Sequence, residues 1–446
     1  MGSAEFFFKS TKFPLCCAAA LLVFSCATGS FTKLDNAAED SRYAESAALL
    51  EKRKNSLYAG SKDRLLYLLD KGMLSHYAGD YAESSRLLES GEQAIEAAYT
   101  RSVTREIGSY LLNDTVLEYP GEDYEDIYIN SFNALNYYYR GNLEDAMVEI
   151  RRMNNKTARL STKYNVITTA LQKEALELGQ GNLPANLQAA GKFTDSALAR
   201  YLGLLFYRSE GLYDDARIDS EGLRLAFANA PSVYNYPAPS SISGELNIPK
   251  GMARFNAIAF SGLSPVKQSR TLRIPLPGPR WAKIALPELE HRPSEVTQIE
   301  VVFDHGQRFK LELLENIEAV TRETFKARQN VIYLKSILRA MVKGLSSSAL
   351  DIAAQETEEE AEISLILGIL SISTQIFAEA SEQADLRISR YFPARAYVGG
   401  FNIAPGIYSF KINYYNKSGK VIDSIRYDNM SIKEGALNLA EAVCLK

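Results

Sequence analysis

Residues 65–98 read LLYLLDKGMLSHYAGDYAESSRLLESGEQAIEAA, two amphipathic segments broken at Ala78-Gly79-Asp80-Tyr81. Within each segment apolar residues return at the helical period, and Gly followed by an aromatic is turn chemistry. Small residues at Gly72, Ser84 and Gly91 stand where two helices must touch closely. The stretch is one helical hairpin, and the fold of the first half depends on whether it returns.

It returns twice. Around Gly141, residues 127–140 (IYINSFNALNYYYR) and 143–153 place Ala134 and Ala146 in the small positions. Around Gly211, SALARYLGLLFYRSEGLYDDARIDSEGLRLAF places Gly203, Tyr207, Tyr213 and Ala216. The offsets of Leu68, Gly72, Gly79, Tyr81, Ser84 and Gly91 fit the tetratricopeptide pattern, without its terminal Pro. The turn glycines lie 62 and then 70 residues apart, too far for a strict tandem array, so further elements separate the units. Such a unit cannot bury its apolar face alone, so three in order predict a curved helical stack. The alternative is an irregular helical bundle.

With 446 residues the chain has room for two or more domains, and 46% hydrophobic with 23% charged residues is an ordinary globular composition. A net charge of −4, without a concentrated basic face, argues against a nucleic-acid partner. Cys16, Cys17 and Cys26 precede the folded body, which leaves Cys444 alone there and excludes an intramolecular disulfide framework. The histidines, His76, His291 and His305, are scattered, so neither a metal site nor a cofactor is expected.

Lys9 and Lys12 precede an apolar run, LCCAAALLVF at 15–24, which meets Ser25-Cys26 and then a polar small-residue stretch. A run of ten residues has the size of a signal-peptide core and is too short to span a bilayer. LVFSC is similar to the bacterial lipobox in its relaxed, spirochaete-type form, in which Cys26 receives lipid and becomes the new N-terminus. The residue after it is Ala27, not an inner-membrane retention Asp, so the outer membrane is the expected site. The alternative is a secreted protein cleaved near Ser25. Myristoylation of Gly2 fails because Phe6 occupies the Ser/Thr position.

The expected organisation is a signal peptide at 1–25, an anchored spacer at 26–40, a helical repeat domain at 41–230 and a β-rich domain at 241–446. A first helix covers 41–58, and residues 119–123 form a turn before an acidic helix start. The longest loop of this half is 179–196, where Gly191-Lys192 fails as a phosphate loop because Asn186 and Phe193 replace Gly and Ser/Thr. The composition changes from Pro231, with Pro, Gly and Ser clustered from Tyr236 to Gly244, a boundary where proteolysis should nick first between 231 and 248. Beyond it the apolar period falls to two, predicting strands at 253–260, 270–276, 282–286, 298–303 and 309–313 with a hairpin turn at Asp304-His305-Gly306-Gln307. A helix pair follows within 316–386, at 316–343 and 348–386. Its apolar run ISLILGILSISTQIF at 363–377 reads as a core helix in preference to a membrane span. Strands resume after Pro405-Gly406, turn at 416–419 and end at 437–444. Each β block alone leaves an edge or face uncovered, so both should complete one sandwich. The fold class is α+β.

LLDKGMLSHYAGDYAESSRLLE, YPGEDYEDIYINSFNALNYYYRGNLEDAMVEIRRMN, SPVKQSRTLRIPLPG and SEQADLRISRYFPARAYVGGFNIAPGIYSF keep one order along the mature chain. By these phrases the chain resembles an uncharacterised family of bacterial lipoproteins with tetratricopeptide-like helices. The resemblance implies an envelope location and no established activity, so it transfers no catalytic residue.

The sequence contains no G-x-S-x-G elbow, H-E-x-x-H, Walker loop or dinucleotide Gly fingerprint. Adjacent acids such as Asp214-Asp215 and Glu122-Asp123 read as a solvated face. The expected role is a non-catalytic scaffold or assembly factor, the alternative a cell-wall glycan hydrolase or other envelope enzyme. The concave face of the stack is the candidate site, lined by His76, Tyr77, Tyr128, Tyr138, Tyr139, Tyr201 and Arg208. Aromatic and Arg side chains suit recognition of an envelope protein or peptide. The alternative for the tyrosines is core, with the hydroxyl at the rim.

Overall fold

The computed structural model describes residues 28–105, 114–177, 193–276, 280–352 and 384–446. Helices α1 (Thr28–Glu39) and α2 (Tyr43–Leu57) lead into three hairpins, α3/α4 (Arg64–Tyr77, Tyr81–Arg105), α5/α6 (Asp123–Tyr139, Leu143–Glu177) and α7/α8 (Ala197–Ser209, Tyr213–Asn229). Each first helix stops in the same way. Gly79, Gly141 and Gly211 have φ of 79°, 76° and 74°. The next residue's N–H donates five positions back, Asp80 to Ser75 O, Asn142 to Tyr137 O and Leu212 to Tyr207 O. This left-handed cap satisfies orphan carbonyls at little cost only when Gly carries the positive φ. Within the first hairpin a methyl group on Gly72 would stand 2.7 Å from Leu88, so the close helix approach requires its absence.

The β half holds β1 (Ala253–Leu263), β2 (Val266–Leu276), β3 (Arg280–Glu290), β4 (Gln298–Phe303), β5 (Arg308–Lys310), β6 (Glu312–Asn316), β7 (Pro393–Ile403), β8 (Gly406–Tyr415), β9 (Val421–Ile432) and β10 (Asn438–Cys444), with α9 (Ile317–Ile352) between β6 and β7. One sheet has the order β10-β1-β7-β6 and another β5-β4-β8-β9, while β2 and β3 form a separate ribbon. Each four-stranded sheet draws two strands from either side of α9.

Strand β1 is buried along its whole length because both faces of its sheet are covered. Ala253, Phe255, Ala257 and Ala259 meet Ile299, Val301, Phe303, Phe410 and Ile412 of the second sheet. On the other face Ile258 and Phe260 join one core with Leu74, Phe132, Leu202, Val398 and Leu439. The Phe132 ring lies 5.1 Å from Phe260 and 6.0 Å from Phe392.

That shared core corrects the expectation of two separable bodies at 41–230 and 241–446. The Pro/Ser-rich stretch between them is also no exposed linker: Val233, Tyr234 and Glu245 are buried, and the Tyr234 hydroxyl accepts from Ala197 N–H at 2.9 Å. The spacer at 26–40 is corrected as well. Its residues from Thr28 form α1, with Leu34, Ala37 and Ala38 buried and Asp35 paired to Arg390 at 2.6 Å. The break expected near 343–348 is absent, since α9 continues to Ile352; Gly344 weakens a helix without removing a hydrogen bond. Strand β7 was not foreseen. Cys26, the apolar run at 363–377 and most of the loop at 179–196 lie outside the described residues.

Candidate functional site

Three of the expected groove residues, His76, Tyr138 and Arg208, stand three positions before the turn glycine of their hairpins. Because their helices end alike, the three side chains point the same way, and the surface they meet is the β half of the same chain. His76 Nε2 lies 2.7 Å from Glu441 Oε1, and its Nδ1 2.7 Å from Asn136 Oδ1. The Tyr138 hydroxyl donates to Leu437 O at 3.2 Å and accepts from Leu439 N–H at 3.2 Å. Arg208 pairs with Glu245 and donates to Asn256 Oδ1 at 3.0 Å.

The remaining groove residues follow suit. Tyr77 donates to Tyr391 O at 2.9 Å, Tyr128 donates to Glu315, and Tyr201 accepts from Asn256 Nδ2 at 3.1 Å. Tyr139 stacks on Tyr81 with centroids 4.7 Å apart and touches Tyr138 edge-on. His76, Tyr128, Tyr201 and Arg208 are buried, and Tyr77, Tyr138 and Tyr139 half-buried. The expectation of an open concave groove is therefore corrected: the sheet β10-β1-β7-β6 occupies that face.

The seam also holds acids that the sequence reading passed over. Glu315 is fully buried and receives Ser196 Oγ at 2.9 Å, Leu198 N–H and the Tyr128 and Tyr234 hydroxyls. Glu125 receives Tyr119, Glu122 N–H and, at 2.6 Å, Ser389 N–H. Asp70 receives Tyr58 at 2.8 Å and, at 2.7 Å each, Ser389 Oγ and Arg390 N–H. Burial pushes Glu315 and Glu125 up to about 7 and Asp70 up to about 6, against the hydrogen bonds that favour the ionised form. For His76 burial acts downward, yet the Glu441 carboxylate and the Asn136 hydrogen bond together outweigh it and the group is raised. Raised carboxyls are what general-acid chemistry requires, but at 0%, 0% and 1% exposure these three face packed protein and not a substrate. They tie helices to the segment before β7 and to β6.

Glu122 and Asp123 are buried, not solvated as expected; Glu122 pairs with Lys267, and Asp123 with Lys163 at 2.7 Å. Asp214 and Asp215 are exposed. His305 sits exposed in the β4–β5 turn, and His291 Nδ1 lies 2.8 Å from Glu318. The one sequence signal for the seam was polar residues inside the apolar strand ARFNAIAF: Arg254 and Asn256 must find partners once buried, and both find Glu245.

Among the described residues no group of side chains is placed to hold a metal ion, and no helix is long and apolar enough to cross a membrane. No protein-family model, curated protein or solved structure matches the chain.

Proposed function

We propose that this chain is an exported envelope lipoprotein, anchored through Cys26 and expected at the outer membrane, that acts as a scaffold or assembly factor without catalysis. In this reading the hairpins form a tetratricopeptide-like stack whose groove is filled in cis by a β-sandwich-like domain, and the chain belongs with the tetratricopeptide-like lipoproteins that its phrases resemble. A partner protein then binds elsewhere. The observation that carries its location is a run of exposed large apolar residues, Leu212, Tyr213, Ile218 and Leu225, on and just before α8, the last helix of the stack. A helical stack with an uncovered end presents an apolar face that a further element can continue.

Two measurements test the reading. Radiolabelled palmitate should enter wild type and not Cys26→Ala; equal labelling of both removes the anchor. A photo-crosslinking amino acid at position 218 or 225 should capture an envelope protein in living cells, whereas the same group at Tyr138 should crosslink within the chain. Capture at 138 alone would return the partner to the groove.

A further inference from the structure

Strand β10 is the last strand of the chain and stands at the edge of the sheet that faces the helices. It pairs with β1 alone, in parallel, from Asn438 to Cys444. Its other edge meets tyrosine hydroxyls in place of a strand. Tyr138 of α5 donates to Leu437 O and accepts from Leu439 N–H, at 3.2 Å each. Tyr427 of β9 donates to Glu441 O at 2.5 Å and accepts from Glu441 N–H at 3.1 Å, and Tyr43 of α2 donates to Val443 O at 3.1 Å. A terminal strand with a single strand neighbour is the part of a sheet that opens with least disturbance of the rest.

The pair of His76 and Glu441 fastens this strand to the first hairpin, and its geometry admits one protonation state. Both imidazole nitrogens face acceptors, Nδ1 the Asn136 Oδ1 and Nε2 the Glu441 Oε1, each at 2.7 Å. The Asn136 amide is held in that orientation because its Nδ2 donates to Ser84 Oγ at 2.9 Å and lies 3.5 Å from Asn133 Oδ1. A neutral imidazole has a single donor, so only the imidazolium satisfies both contacts. Glu441 depends on it in turn. Its side chain is 9% exposed, and Oε2 is buried with no donor among the described residues. Loss of the His76 proton therefore leaves a buried carboxylate without a counter-charge, and one ring nitrogen lone pair against an acceptor. Glu441 is the charged group that acts on His76. The titratable groups around the pair are Tyr43, Tyr77, Tyr81, Tyr138, Tyr139 and Tyr427, all pushed above the ordinary phenol range, first of all by burial. Cys444, further along β10, is pushed up to about 12 by burial.

We infer that His76 and Glu441 form a proton-operated latch on the C-terminal strand: with His76 charged β10 is fastened to the first hairpin, and with His76 neutral β10 opens while β1, β7 and β6 stay paired. Opening bares the edge of β1 from Phe255 to Ser261, which β10 otherwise covers. The sign follows from the surroundings of the ring. Burial lowers His76, and the Glu441 charge with the hydrogen bonds to Glu441 and Asn136 outweighs it, so the group stands above its ordinary 6.5. The latch is complete below that ordinary value and is lost as pH rises through the raised one. The inference is independent of the lipid anchor and of the partner at α8.

The test is hydrogen exchange on the full chain at about pH 6 and about pH 8.5, corrected for the intrinsic pH dependence of amide exchange. In wild type the protection of β10 should fall between the two, on the order of tenfold for each unit by which the pair raises the imidazole, and at the higher pH β10 should exchange ahead of β7. Glu441→Gln is the discriminating variant. Its amide can donate to a neutral His76 Nε2 while Nδ1–H still serves Asn136, so β10 should stay protected at both values with no pH dependence. Imidazole titration by nuclear magnetic resonance should place His76 above 6.5 in wild type and below it in Glu441→Gln. Exchange of β10 and β7 together at the higher pH would mean that the strand opens only with the whole fold, and would overturn the latch. So would a Glu441→Gln chain whose β10 keeps the wild-type pH dependence, or a wild-type His76 that titrates below 6.5.

Discussion

The two faces of the sheet β10-β1-β7-β6 are built on different principles. Toward the second sheet, β1 and β10 present Phe255, Ala257, Ala259, Ala440, Ala442 and Cys444 to an apolar and aromatic layer. Toward the helices the same strands present Arg254, Asn256 and Glu441 beside Ile258 and Phe260; Asn256 meets Arg208 and Glu441 meets His76 across the seam, and Arg254 shares Glu245 with Arg208. An apolar face is satisfied by any complementary surface of suitable volume, whereas a buried polar face accepts one partner in one register. The seam therefore carries the specificity of the fold and the apolar layer carries bulk stability.

The sharpest way to break this contrast is Glu245→Ala, which leaves the Arg208 and Arg254 guanidiniums buried without their carboxylate. A loss of about 3–5 kcal/mol is expected in urea unfolding, comparable with the cavity left by Phe255→Ala on the other face. A loss under about 1 kcal/mol would mean that water reaches these groups and the seam is looser than the apolar layer.

The next effect is one of pH. A carboxyl held above its unfolded value binds its proton more tightly when folded, so its contribution to stability is complete below the unfolded pKa and is lost as pH rises through the folded one. Glu315 and Glu125, raised from 4.5 to about 7, and Asp70, raised from 3.8 to about 6, all act in this sense. So does His76, raised from 6.5. Stability should fall from about pH 5 to pH 8, by roughly 3 kcal/mol for Glu315 alone. Glu315→Gln should flatten the melting profile over that range, and an unchanged slope would assign the fall to other groups.

A smaller effect is expected from Tyr138→Phe, which removes the hydroxyl bonded to the β10 backbone and should cost about 1 kcal/mol. Tyr138→Ala with Tyr201→Ala should melt early, because both rings pack in the seam. The smallest effect is on proteolysis. Residues 231–248 should not be cut ahead of exposed loops, and preferential nicking there would revive the two-body reading.

Much of the architecture was legible in the chain. Gly79, Gly141 and Gly211 mark their turns because only a residue without Cβ takes that backbone cheaply. Residues 298–303 alternate cleanly and form β4 with those bounds. Strand β7, PARAYVGGFNI, escaped because Gly399-Gly400 reads as a breaker. A methyl group on Gly400 would lie 2.7 Å from Phe255 O, so that Gly answers to a neighbouring strand and to nothing in its own segment.

The candidate site divides in the same way. Helical spacing, which is local, determined that His76, Tyr138 and Arg208 share one face of their hairpins and that this face needs a partner. Which surface supplies that partner was decided only in the tertiary structure. Glu441, Leu439 and Glu245 lie 365, 301 and 37 residues away in sequence. Burial of a shared apolar core brings them there, and no local period encodes that distance. The same packing closed a groove that the sequence left open, because the free energy of covering it was available within the chain itself.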